Sequence, residues 1–223
     1  NLKSVELGPK EGLALINGTQ FIAAHAIEVV DRLYNCLNHA DIIGAMMIEA
    51  LQGSIKPFSP QLHALRPFKG NLHVANRVKT LLEGSEILEA HADCDRVQDP
   101  YPLRCIPQVH GTSRNTWLHL KELVEVELNA VTDNPIILSA EETISGGNFH
   151  GQPLALPLDY AALAAAELGN ISDRRVYLSL EGKISGLPQL LMKDTGINSG
   201  FMLPQYTSAA LVSENKSLCF PAS

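Results

Sequence analysis

The chain has 223 residues, 45% of them apolar and 18% charged, which is enough material for one large domain with a sizeable core and excludes a disordered polymer. Its formal net charge is −7 and its 17 basic residues are scattered rather than gathered in a stripe, which argues against a nucleic-acid partner. No apolar run approaches the length of a membrane span, and the opening Asn1-Leu-Lys-Ser-Val-Glu6 lacks the basic flank and apolar centre of a signal peptide, so the reading is a cytoplasmic protein with no membrane partner.

Ala and Leu dominate and aromatic residues make up only 5%, which favours closely packed helices and an all-α fold. In chain order, Lys10 to Ile16 reads as a short helix ending at the turn-forming Asn17-Gly18. From Thr19 to Leu51 apolar residues recur at three- and four-residue steps and predict a long buried helix. The three prolines of Lys56 to Pro67 predict a loop, followed by a helix from about Asn71 to Leu82 and a shorter one reaching about His91.

The segment Gln98-Asp-Pro-Tyr-Pro-Leu-Arg104-Cys-Ile-Pro-Gln108 places a carboxamide, a phenol and a guanidinium among prolines and reads as a stiff, irregular loop. A patterned helix from Ser113 to Ala130 stops at Thr132-Asp-Asn-Pro135, and residues 136–151 look irregular or hairpin-like. An Ala-rich helix from about Pro153 to Leu180 is apolar nearly all round, which predicts a place inside a bundle or an oligomer interface. A last helix runs from about Phe201 to Leu218, and both ends of the chain read as cuts through a larger polypeptide. Without repeats or a linker-like shift in composition, residues 1–223 are expected to form a single helical domain.

Candidate chemistry gathers at a few places. Arg104 offers a planar fork for a carboxylate and Tyr101 a group able to pass a proton, a pair suited to a small zwitterion; the alternative is a proline-stapled connector whose Tyr and Arg satisfy nearby carbonyls. Asn17 sits between two helices, where its amide can face a ligand or merely form a turn. In Ser145-Gly-Gly-Asn-Phe-His-Gly-Gln-Pro153 the spacing fits no dinucleotide or phosphate loop, leaving Phe149 as core anchor or site residue and His150 as helix cap or catalytic group. Glu214, in a largely apolar helix, is expected to pair across helices. His91-Ala-Asp-Cys-Asp95 mixes ligand types that suit no common metal, and Cys36, Cys94, Cys105 and Cys219 form no Cys-x-x-Cys pair, so free thiols and no metal are expected.

Taken together, five blocks resemble the aromatic amino acid lyase family in order and spacing over essentially the whole chain: Leu7 to Gln20, Gln98 to Cys105, Ser145 to His150, Asn198-Ser-Gly-Phe-Met202 and Ser213-Glu-Asn-Lys216. The resemblance implies a long-helix bundle of the lyase type truncated at both ends, a homotetramer whose active sites draw on three subunits, and non-oxidative loss of ammonia from L-histidine to give urocanate. It implies that Tyr101 and Asn17 act with Phe149 beside a methylidene-imidazolone electrophile, that Arg104 holds the substrate carboxylate, and that Gln98 is a polar wall residue.

The family builds that electrophile from Ala-Ser-Gly, and no such triad occurs here; Ile144-Ser145-Gly146 and Ile184-Ser185-Gly186 are the nearest. The isolated chain is therefore expected to form no urocanate. Phenylalanine and tyrosine lyases and aminomutases share the motifs and remain alternatives, as does a non-catalytic helical assembly module.

Overall fold

The computed structural model describes residues 3–93 and 95–223, and it is built from helices with one two-stranded hairpin among the described residues. A short α1 (Glu11–Ala14) precedes α2 (Gln20–Ala50), which is followed by a 3-10 turn at Lys56–Phe58, α3 (Pro60–Ala64), α4 (Lys69–Leu81) and α5 (Glu86–Ala90). Next come α6 (Tyr101–Arg104), α7 (Ile106–Glu127), the antiparallel pair β1 (Ile136–Ile137) and β2 (Thr143–Ile144), α8 (Gln152–Leu180), a 3-10 turn at Gln189–Leu191 and α9 (Met202–Leu218).

Three long helices set the frame. The C-terminal residues of α2 (Ala45, Ile48, Leu51) share a core with Val74 and Val78 of α4, Ile106 of α7 and Leu178 of α8. Its N-terminal residues (Ala23, Ala26, Leu33, Leu37) share a second core with Leu120 and Val124 of α7 and Leu154, Ala161 and Leu168 of α8. Hence α7 runs antiparallel to α2 and α8 parallel to it, with two apolar cores stacked end to end. Each fully buried Leu or Ile in them contributes about 1.5–3 kcal/mol.

Two glycines fix the crossing of α4 and α7. A Cβ added at Gly70 would stand 2.0 Å from the Gly111 carbonyl oxygen, and one added at Gly111 would stand 2.5 Å from the Asn71 nitrogen, so only glycines let these backbones approach.

The structure corrects several sequence expectations. Lys56 to Pro67 is not simply a loop, because Pro57 and Pro60 occupy first-turn positions where a missing N–H costs nothing, and they start helical turns instead of breaking them. The same effect turns the supposed irregular loop around Tyr101 into α6, whose second residue is Pro102, and lets α7 begin at Ile106 with Pro107 in its first turn, well before Ser113.

Helices α2, α8 and α9 lie where the apolar periodicity puts them, but in the protomer they bury one face rather than all. Ile42, Ile43 and Met46 of α2 and Leu156, Tyr160 and Leu163 of α8 are exposed. Helix α9 buries only Val212, and Glu214 is exposed, so within the protomer its carboxylate needs no partner across helices. Among the described residues no helix is long and apolar enough to cross a membrane. Cys36, Cys105 and Cys219 are free thiols, while Cys94 lies outside the described residues.

Candidate active site

The turn carrying Tyr101 and Arg104 is tied to the C-terminal end of α2. Arg96 donates from Nη1 to the carbonyls of Leu51 (3.1 Å) and Gln52 (3.3 Å), meeting the negative end of the helix dipole, and its partner Asp99 accepts the Ser54 N–H at 2.6 Å. Because α6 is a helical turn, Tyr101 and Arg104 sit three residues apart on one face, and the guanidinium carbon lies 4.5 Å from the centre of the phenol ring. Tyr101 is 69% exposed. Arg104 and Gln98 line a cavity of about 460 Å³, together with Lys56, His91, Arg96 and Gln108. The cationic groups there outnumber the one carboxylate, Asp99, which already accepts from Arg96 and Ser54, so the cavity favours an anionic group.

Asn17 and Phe149 lie at the opposite end of the bundle. The turn Asn17-Gly18 presses against Thr132, since a Cβ added at Gly18 would come 2.7 Å from the Thr132 carbonyl oxygen. The loop before α8 is pinned to the same segment: Asn148 donates to the Val131 carbonyl (3.2 Å), and Asn134 Oδ1 accepts from the Gly146 N–H (2.8 Å) and from Ser145 Oγ (3.2 Å). Asn17 is half-buried, and among the described residues its side chain makes no hydrogen bond. Phe149 is 39% exposed rather than anchored in the core, and His150 Nδ1 accepts the Gln152 N–H at the start of α8, the capping role. The 31 residues of α2 place the two groups of site residues about 45 Å apart in one protomer. One chain thus joins Tyr101, Arg104 and Gln98 at one end and brings Asn17 near Phe149 at the other, but does not join all five.

Sequence reasoning missed the polar cluster between the two cores. Asp41 of α2 is fully buried; it accepts from His110 Nδ1 (2.9 Å) and Arg114 Nη2 (2.9 Å) of α7, with Arg77 Nε of α4 at 3.4 Å. His110 Nε2 faces both terminal nitrogens of Arg175 of α8 at 3.3 Å. Arginine only donates, so Nε2 is the acceptor and the imidazole proton sits on Nδ1, toward Asp41. A usable signal was present: Asp41, His110 and Arg114 fall on the apolar faces of their helices, where a charge has to find a partner.

Burial holds the His110 pKa below its ordinary 6.5 and the neighbouring Arg175 adds to this, against the opposing hydrogen bond to Asp41. Burial likewise lowers Arg175 to about 10, which leaves it charged at neutral pH. Between the folded-state pKa of His110 and 6.5 the unfolded chain binds more protons than the folded one, so stability falls as pH drops below about 6.5, by at most ~1.4 kcal/mol per pH unit for this group. Urea midpoints at pH 7, 6 and 5 are expected to fall in the unsubstituted protein and to fall less steeply in His110→Asn; equal slopes would refute the assignment.

The sequence model described as aromatic amino acid lyase matches residues 1–223. A histidine ammonia-lyase from Sorangium cellulosum is 51% identical over 230 residues, covering 100% of this chain and 45% of that protein. Among solved structures, histidine ammonia-lyase from Trypanosoma cruzi superposes with a TM-score of 0.89 at 43% identity, covering 100% of this chain and 41% of that one. A tyrosine aminomutase from Streptomyces globisporus superposes at 0.92 with 36% identity, covering 100% and 46%. The chain spans less than half the length of these curated relatives, from 34% of the Caenorhabditis elegans histidine ammonia-lyase to 45% of that from Sorangium cellulosum. With its whole length matched and its helical bundle superposed, the chain belongs to the aromatic amino acid lyase family.

Proposed function

We propose that these residues form the central part of a cytoplasmic ammonia-lyase that converts L-histidine to urocanate, with active sites assembled between copies of the chain in a homotetramer. The reaction breaks the bond from Cα to nitrogen and a bond from Cβ to hydrogen and forms the Cα=Cβ double bond. Arg104 holds the substrate carboxylate through charge-assisted hydrogen bonds, Gln98 forms a polar wall, and Tyr101 moves a proton at its phenolic oxygen. The family's methylidene-imidazolone supplies an electrophile that activates the substrate amine. No Ala-Ser-Gly occurs in these residues, so this chain flanks the group rather than forming it, with the unpaired Asn17 amide and the accessible Phe149 ring as the residues suited to lie beside it. These 223 residues by themselves are therefore expected to form no urocanate.

The observation that carries this reading is the separation of the two residue groups by the length of α2, since an active site containing both then needs more than one protomer. The apolar side chains that α2, α8 and α9 leave exposed, Met46, Leu163 and Leu211 among them, supply a surface for such assembly.

The test is complementation in the complete polypeptide. Asn17→Ala and Tyr101→Phe are each expected to be nearly inactive, whereas unfolding and refolding them together should restore about a quarter of the sites, because chance pairing gives that share both native residues. Urocanate absorbance reads the result, and a mixture no more active than its parts would refute the shared site. A second reading, action on tyrosine or phenylalanine, draws on the likeness to tyrosine aminomutase. Formation of coumarate or cinnamate in place of urocanate in the same assay would select it.

A further inference from the structure

The buried cluster does more than join the two cores, because it reaches the turn that bears Tyr101 and Arg104. From Asp41 the path runs to His110 Nδ1, through the ring to Nε2, and on to the Arg175 guanidinium, whose Nη1 lies 3.4 Å from the carbonyl oxygen of Pro102 inside α6. Asp41, His110 and Arg175 are each at most 1% exposed. Arg175 is held from a second side by Ser172, whose hydroxyl oxygen is 3.3 Å from Nη2. A four-residue helix has little stiffness of its own, and at its end Pro107 offers no N–H to the Leu103 carbonyl. An external donor on the Pro102 carbonyl therefore counts for much in setting its tilt.

We infer that Asp41, His110 and Arg175 form a relay of positioning residues that fixes the orientation of α6 and thereby aims the Arg104 guanidinium at the substrate carboxylate. The relay itself stands on the distances above, while its consequence for substrate rests on the lyase reading. Asp41 keeps the imidazole proton on Nδ1; the free Nε2 lone pair then faces the guanidinium, and the guanidinium faces Pro102. Arg114 draws on the same carboxylate and, among the described residues, makes its hydrogen bonds to Asp41 and Asn38 rather than to α6, which makes it the internal control.

The experiment compares Arg175→Met, His110→Leu, His110→Gln and Arg114→Met in the complete enzyme. Backbone hydrogen exchange is followed at Leu103, Arg104 and Cys105, whose N–H groups close α6 on the carbonyls of Pro100 and Tyr101. Exchange there is expected to quicken about tenfold in Arg175→Met and His110→Leu, the effect of one charge-assisted hydrogen bond. It should stay near the native rate in Arg114→Met and in His110→Gln, whose side-chain oxygen still offers Arg175 an acceptor.

Inhibition by 3-(imidazol-4-yl)propionate, which carries a carboxylate, is compared with inhibition by 4-ethylimidazole, which does not. In the first two variants the acid is expected to bind about tenfold more weakly and the carboxylate-free compound unchanged. Native exchange rates at residues 103–105 in both Arg175→Met and His110→Leu would overturn the relay; should either fold poorly, the other and the His110→Gln rescue decide it. Equal weakening of both inhibitors would overturn the aiming of Arg104. Native enzyme that binds neither inhibitor would sink the substrate reading instead, and the exchange rates would still decide the relay.

Discussion

Tyr101→Phe in the complete enzyme is expected to lower kcat by about 10²- to 10⁴-fold while changing KM by no more than a few-fold, the signature of a lost proton-transfer group. The split follows from the geometry of α6. The phenol ring packs against the Arg104 guanidinium at 4.5 Å, and a phenylalanine ring keeps that contact, so Arg104, the residue proposed to hold the carboxylate, stays in place. Only the hydroxyl is lost. Because Tyr101 is 69% exposed in the protomer, the fold itself should not register the change, and the thermal midpoint is expected to move by less than about 2 °C. Steady-state rates of urocanate formation at saturating and limiting L-histidine read both constants. A kcat within threefold of the native value would remove Tyr101 from the chemistry, and a large rise in KM with native kcat would recast it as a binding residue.

The long helices were legible because their pattern is long: α2, α8 and α9 begin and end within two residues of where apolar spacing and the helix-stopping Gly and Pro residues put them. Short elements were not. At Pro57, Pro60, Pro102 and Pro107 the same residue that ends helices also begins them, and tertiary packing, such as that of the neighbouring Phe58, Leu103 and Ile106 in one core, decides which role it takes. The site was legible in part. Residue chemistry pointed to Tyr101 and Arg104, and α6 does place them together, but Asn17, Gln98 and Phe149 rested on family resemblance. The distance between the two ends of α2 is a three-dimensional fact that no local pattern carries.

The buried cluster was missed for another reason. Asp41 stands in an apolar run and its partners Arg77, His110 and Arg114 come from other helices, as does Arg175 beyond His110, at sequence separations of 36 residues or more, so no spacing rule connects them.

That cluster is also where the fold is most vulnerable. Asp41→Ala is expected to destabilise the protein by about 3–5 kcal/mol, the range for removing one partner of a buried ion pair. The side chain is fully buried and is the carboxylate on which His110, Arg114 and Arg77 converge. Without it, among the described residues the buried Arg114 guanidinium keeps the 3.5 Å contact to Asn38 alone on that side, and the His110 Nδ1 proton loses its acceptor. A cavity between the two cores adds to the cost.

Asp41→Asn separates the terms, since it fills the space and retains one acceptor oxygen but lacks the charge. It should fall between the native protein and Asp41→Ala. Urea unfolding at pH 7.5, above the range in which His110 titrates, gives both values cleanly. If Asp41→Ala cost less than about 1 kcal/mol, the guanidinium groups would have to be reaching water in solution, and the cluster would not be the closed junction between cores that its burial describes.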